Sequence, residues 1–180
     1  VDLNAYLYLE KILLSELAAS LGLEIDEEDF SNQASILKEQ INTQFYDAID
    51  GWYYDTDISG TSMIKVKASE GWIPLWAKVA NQDQANAVRT TMLDTNHFLT
   101  KVPLQTLNVS HPKFDPQKGY WRGPNWLDQA YFGIQGLRNY GFHEEANKAT
   151  IQIINGAEGI LGKGKSIREN YHPITGEGLN

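Results

Sequence analysis

The chain has 180 residues, of which 42% are hydrophobic, so it can bury one sizeable core and is predicted to be one domain or part of a larger one. Its net charge of −8 argues against nucleic-acid binding, which needs a basic surface. The absence of cysteine excludes thiol chemistry and disulfides. No apolar run reaches the roughly 20 residues of a membrane span, and both the bacterial cytoplasm and the periplasm remain open as locations.

Two helices are predicted at the start of the chain by apolar residues at helical spacing. Residues 2–21 carry a broad apolar face that ends at Gly22, which predicts a helix buried over much of its girth. The following stripe is narrower and is typical of a helix exposed on one face; it consists of Phe30, Ala34, Leu37, Ile41 and Phe45. We therefore expect the second helix to lie outside the first.

Four further helices are predicted downstream. Pro74 is placed as a first-turn proline, which starts a short helix that runs to residue 79 or 80. The next helices are expected at about residues 83–96, from Trp126 to a stop at Gly141, and at about 144–156. Alternation typical of strands is scarce, so the predicted fold class is all-α.

The connections between these helices alternate between short and long. Residues 22–28, 81–82 and 141–143 are short turns, whereas the long connections are 50–70, 97–125 and 157–180. In a ring of antiparallel helices, alternate connections fall on opposite ends, so the three long ones are expected to share one end. Long connections without secondary structure are usually functional or disordered, which predicts a site at that end.

All five tryptophans lie in or beside these long connections. Indole rings are flat and apolar and offer a stacking surface to a sugar ring, which predicts a carbohydrate ligand. The alternative is that the tryptophans close the top of the helical core.

Four segments together resemble the catalytic domain of glycoside hydrolase family 63 and its trehalase-like relatives, in the order found there. They are residues 51–57 (GWYYDTD), 70–76 (EGWIPLW), 120–126 (YWRGPNW) and 168–173 (RENYHP). The resemblance implies that the chain forms three helical hairpins of an (α/α)6 toroid, the six-hairpin glycosidase type. Residues 1–180 would then be part of a catalytic domain that continues at both ends, and the remainder of that domain is an expected partner.

The resemblance also implies a reaction, the inverting hydrolysis of α-linked glucosides in oligosaccharides. Glycoside hydrolysis needs two carboxyl groups across the scissile bond. Glu169 corresponds to the general base, which Arg168 is expected to keep ionised, and the general acid lies upstream of Val1. Asp57 and Asp128 are internal substitutes for the acid, although Asp128 is more simply explained as a carboxylate of the first helical turn, where the helix dipole favours it.

A set of side chains at the long connections is predicted to bind the substrate: Trp121, Arg122, Trp126, Tyr54, Asp57, Trp72 and Tyr171. For Arg122 the alternative is an ion pair that supports its loop, and Asp57 could instead cap a turn.

No cofactor is predicted, and the four histidines show no metal-ligand spacing. Three aspartates offer oxygens to calcium without forming a complete ligand set: Asp55, Asp57 and Asp115. Two other functions remain open, namely a non-catalytic carbohydrate-binding or interaction module and an epimerase or lyase built on the same toroid.

Overall fold

A computed structural model describes residues 1–162 and 164–179. Within them, none of the helices combines the length and the apolar character that a membrane span requires. The α-helices are α1 (Asp2–Leu21), α2 (Glu24–Gln44), α3 (Ile73–Trp76), α4 (Gln82–Met92), α5 (Leu127–Asn139) and α6 (His143–Gly156). A short 3₁₀ helix, Ser69–Trp72, leads directly into α3.

The chain also contains short strands, so the prediction of an all-α fold is wrong in this respect. Each strand has two residues, too few to produce a recognisable alternation in the sequence. The strands pair antiparallel inside the long connections, where they satisfy backbone groups that would otherwise lack partners. They are β1 (Tyr46–Asp47) with β2 (Trp52–Tyr53), β3 (Asp55–Thr56) with β4 (Met63–Ile64), and β5 (Asn125–Trp126) with β6 (Asn170–Tyr171) and β7 (Gly178–Leu179).

Helix α1 ends as predicted but is less buried than predicted. Gly22 closes it in the left-handed conformation, with φ of 71°. The residues that α1 buries fully are Ala5, Tyr8 and Ala18, because this small and aromatic face packs toward the core. A stripe of leucines remains exposed on the same helix, and it consists of Leu3, Leu7, Leu13, Leu17 and Leu21.

Three helices form an inner row, in which α3 contacts both α1 and α5. Helix α2 packs on α1, and α6 packs on α5, which gives two helical hairpins. The third predicted hairpin is not a pair of packed helices, since α3 has only four residues and α4 contacts β2. Lys78 adopts a left-handed φ of 60°, which explains why the third helix stops before residue 79.

Aromatic rings fill the core behind the inner row. Trp52 stacks on Phe98 with their ring centroids 5.4 Å apart, and Trp72 meets both rings edge-on. All three side chains are fully buried. Gly71 leaves room for this cluster, because a Cβ atom at that position would clash with the indole nitrogen of Trp52.

Replacement of Gly71 by alanine is therefore expected to lower the free energy of unfolding by about 1–3 kcal/mol through overpacking. Chemical denaturation measures this difference. The control is Ile58→Ala at a fully exposed position, expected to change stability by less than about 0.5 kcal/mol. A Gly71→Ala protein as stable as the parent would show that the indole has room to move.

Candidate active site

A cavity of about 600 Å³ lies where the N-terminal ends of the three inner helices meet. Asp2 contributes from the first residue of α1, Glu70 from the 3₁₀ helix that precedes α3, and Gln129 from the first turn of α5. The remaining walls come from Val66, Ala68 and Ser69 and from the long connection 97–125, through Thr106, Leu107, His111, Lys113, Trp121 and Arg122. Its volume is in the range typical of small-molecule sites.

Two stacked tryptophans form an aromatic wall beside this cavity. The rings of Trp121 and Trp126 are nearly parallel, at 16°, with centroids 4.5 Å apart. Trp126 is 5% exposed and donates a hydrogen bond from Nε1 to the backbone oxygen of Tyr120, whereas Trp121 is 49% exposed and lines the cavity. Trp126 therefore supports Trp121 from behind, and Trp121 offers ring surface to a ligand.

The loop that carries Trp121 is held in one tight conformation. Gly123 has φ of 130°, and a Cβ atom there would lie 2.6 Å from the ring of Phe114, so this position requires glycine. The guanidinium of Arg122 forms an ion pair with Asp115 at 3.6 Å, and the Asp115 backbone N–H donates to the Arg122 oxygen at 2.7 Å. Arg122 thus supports the loop and still lines the cavity.

Glu169 is brought beside the aromatic segment by strand pairing. In the antiparallel pair β5–β6, Trp126 lies opposite Asn170, directly after Glu169. The Tyr171 hydroxyl is buried and accepts a hydrogen bond from the Arg168 N–H at 2.8 Å, which fixes the backbone around Glu169. The Glu169 side chain is exposed and does not line the 600 Å³ cavity.

The ion pair expected between Arg168 and Glu169 does not occur among the residues that the structure describes. The positive charge of Arg168 acts instead on the carboxyl group of Glu158, whose pKa it helps to lower. The hydrogen bond from Lys165 to Glu158 is the largest cause of the lowered pKa of that carboxyl, and the charge of Arg168 adds to it.

Four predicted substrate-binding residues are buried: Trp126, Trp72, Tyr54 and Tyr171. Trp72 is fully buried and donates from Nε1 to the Gln129 backbone oxygen at 3.1 Å. Tyr54 is buried and donates its hydroxyl hydrogen to Asp50 at 3.2 Å, and Tyr171 is buried as described above. These side chains support the walls of the site and have no surface that a ligand could contact.

The two aspartates considered as substitutes for the acid take local roles. Asp57 accepts hydrogen bonds from Ser59 and from the backbone of residues 61 and 62, which closes the turn between β3 and β4 and lowers the pKa of its carboxyl. Asp128 is exposed in the first turn of α5 and accepts from the Gln129 N–H at 2.8 Å. Neither lines the cavity.

Glu70 lines the cavity and is not among the site residues predicted from the sequence. Burial raises the pKa of its carboxyl to about 7, and the negative charges of Asp55 and Asp2 add to the effect. The sequence did contain a signal, because Glu70 opens the segment EGWIPLW at the start of an inner helix. No group of three His, Asp or Glu side chains suited to a metal ion occurs in residues 1–162 and 164–179.

The family model of the mannosylglycerate hydrolase MGH1-like glycoside hydrolase domain matches residues 1–180. The chain is 30% identical over 168 residues to a mannosylglycerate hydrolase of Rubrobacter radiotolerans, which covers 92% of the chain and 36% of that protein. It is 24% identical to the periplasmic trehalase of Citrobacter koseri, over 95% of the chain and 29% of that protein.

Solved structures show the same fold. The GH63 mannosylglycerate hydrolase of Thermus thermophilus in complex with glucose superposes with a TM-score of 0.82 at 26% identity, over 99% of this chain and 40% of that chain. The neutral trehalase Nth1 of Saccharomyces cerevisiae shares the fold with a TM-score of 0.83 at 19% identity, over 97% of this chain and 34% of that chain. The described helices therefore belong to the helical glycosidase fold, and the chain spans well under half the length of these relatives.

Proposed function

Because the chain belongs to the family of MGH1-like glycoside hydrolase domains, we propose that the protein containing it hydrolyses α-linked glycosides, with Glu169 as the general base. The observation that supports this proposal is the β5–β6 pairing, in which Asn170, the residue after Glu169, lies opposite Trp126 of the aromatic wall. A general base must be ionised and able to reach water, and the exposed position of Glu169 provides that access.

The proposed reaction is an inverting displacement. In this mechanism Glu169 takes a proton from the water that attacks the anomeric carbon, and a second carboxyl group protonates the departing oxygen. We place that general acid in the remainder of the catalytic domain, upstream of Val1, because Asp57 and Asp128 accept hydrogen bonds from nearby backbone N–H groups and do not line the cavity. The exposed leucines of α1 offer an apolar surface on which that remainder would pack.

The substrate class is proposed from the relatives and from the cavity. The relatives are named for mannosylglycerate and trehalose hydrolysis, and the cavity combines an aromatic wall with polar groups. We propose α-linked glucosides of oligosaccharides, together with small α-glycosides of the mannosylglycerate type, as the compounds to test. The assay incubates the intact protein with such a panel and measures the free sugar that is released.

A second function is favoured by one specific observation: Trp121 lines the cavity and Glu169 does not. A non-catalytic carbohydrate-binding module would need only the aromatic wall. The same panel separates the two functions, because binding of a sugar by the intact protein without release of any product would support the binding module.

Trp121→Ala is expected to raise the KM for the preferred glycoside at least about 5-fold, because a stacking aromatic ring contributes about 1 kcal/mol beyond its buried area. Steady-state kinetics of the intact protein measure this. Trp121→Phe is the matched control, since it keeps a stacking face, and its KM should stay close to that of the parent. An unchanged KM in Trp121→Ala would remove Trp121 from the substrate contacts.

A further inference from the structure

Glu70 is a carboxyl in the cavity wall to which the proposed reaction gives no role. It lies in the same cavity lining as Trp121 and Arg122, and its side chain is partly buried. The backbone N–H of Glu70 donates a hydrogen bond to its own carboxyl group. Among residues 1–162 and 164–179 no other residue forms an ion pair or a hydrogen bond with that group, and Arg122 pairs with Asp115. A carboxylate can accept about four hydrogen bonds, so its remaining acceptor positions are open to a ligand that enters the cavity.

The backbone holds this carboxyl in place. The N–H of Ser69 donates to the Thr106 oxygen at 3.0 Å, and the N–H of Ile73 donates to the oxygen of Glu70 itself. On the C-terminal side, Gly71 and Trp72 are locked against the buried aromatic cluster. Glu70 therefore presents its side chain from a rigid support, as a binding residue requires.

We propose that Glu70 is a substrate-binding residue that hydrogen-bonds a hydroxyl group of the sugar lying against Trp121. The inference rests on the proposed function only for the chemical class of the ligand, a sugar. A sugar hydroxyl both donates and accepts hydrogen bonds, so it can satisfy the carboxyl in its neutral and in its ionised form.

The protonation state of Glu70 gives an independent view of this environment. With its pKa near 7, the carboxyl is about half neutral at neutral pH, and burial is the main cause. Several charged or titratable groups face the same cavity or act on this carboxyl: the amino group of Val1, which lowers its pKa, Asp2 from α1, Asp55 from β3, and His111, Lys113 and Arg122 from the connection 97–125. The two aspartates disfavour the ionised form of Glu70.

The stability of the protein should depend on pH through this group. The folded state binds a proton at Glu70 more tightly than the unfolded state, so its stabilising contribution is complete below about pH 4.5 and is lost as the pH rises through about 7. Glu70→Gln removes this dependence. The melting temperature of Glu70→Gln relative to the parent should therefore rise between pH 5 and pH 8, with His111→Gln as the control that keeps the dependence.

The direct test is sugar binding by the intact protein in the Glu169→Gln background, where hydrolysis does not interfere. Isothermal titration calorimetry with D-glucose and D-mannose at neutral pH measures the dissociation constants. Adding Glu70→Ala should weaken binding of the better sugar at least 10-fold. Adding Glu70→Gln, whose amide also donates and accepts, should change it less than about 3-fold. Glu28→Gln, an exposed position on α2, serves as the matched control.

The outcomes separate this inference from the proposed function. Equal affinity of Glu70→Ala and its background would overturn the role of Glu70, whether or not the intact protein hydrolyses glycosides. Weaker binding in Glu70→Ala without any hydrolysis by the parent would support Glu70 and contradict the hydrolase. If Glu70→Ala does not fold, Glu70→Leu, which removes the carboxyl group and keeps most of the volume, takes its place, and a sugar affinity equal to that of the background would overturn the role of Glu70.

Discussion

Replacement of Glu169 by glutamine is expected to lower kcat of the intact enzyme by about 100- to 10,000-fold, the usual contribution of a general base. The amide keeps the shape of the side chain but cannot take a proton from water. The surrounding backbone is fixed by the bond from the Arg168 N–H to the buried Tyr171 hydroxyl and by the β5–β6 pairing. Those contacts involve the backbone and the side chain of Tyr171, so the variant should fold and bind substrate as the parent does.

A matched control is available in the same long connection. Glu177 is also an exposed glutamate beside the three-stranded sheet, and Glu177→Gln should keep kcat within about 2-fold of the parent. Single-turnover kinetics and sugar binding, measured on both variants, separate lost chemistry from lost binding. Equal turnover by Glu169→Gln and the parent would remove Glu169 from the mechanism.

Replacement of Trp72 by alanine is expected to lower the free energy of unfolding by about 3–5 kcal/mol, the range for a large aromatic side chain removed from a core. The indole is fully buried, packs edge-on against Trp52 and Phe98, and donates to the Gln129 oxygen. Its loss leaves a cavity between the inner helices and removes the hydrogen bond that the indole donates to the Gln129 oxygen. Denaturant titration of the purified protein measures the difference.

Trp121→Ala provides the contrast. Because Trp121 is half exposed, removal of its side chain should weaken sugar binding more than it lowers the free energy of unfolding. The two variants together test whether the tryptophans of the long connections have different roles. If Trp72→Ala kept its stability and lost sugar binding, Trp72 would be a ligand contact, as its sequence position predicts.

Much of the helical fold was predictable because local signals mark it. The bounds of α1 and α6 match the predictions within one residue. Apolar periodicity marks both helices in the local sequence, and a glycine marks each end, Gly22 for α1 and Gly156 for α6. Helix α4 begins one residue before its prediction, where Asn81 and Gln84 form a capping box, but it ends at Met92, before the predicted end at about residue 96. The predicted helix α3 is too long, because Lys78 adopts a left-handed conformation. Glycine usually occupies that conformation, so a lysine at this position gives no signal of a helix end in the sequence.

The site was predictable only in part. Trp121 and Arg122 were found because the segment YWRGPNW is distinctive, and both line the cavity. Trp72 and Tyr54 share the same aromatic character, yet packing between segments distant in the chain buries them. The sequence alone did not indicate the environment of Glu70, because it is formed by distant segments. Its raised pKa results from burial and from charges on α1 and β3.

The measurement that tests the central claim most directly is proton NMR of the intact enzyme with its preferred α-linked glycoside, following the anomer released first. An inverting hydrolase with Glu169 as general base must release the β anomer before mutarotation mixes the two. Release of the α anomer first would show retention of configuration, which requires a carboxylate nucleophile, and would contradict the proposed role of Glu169.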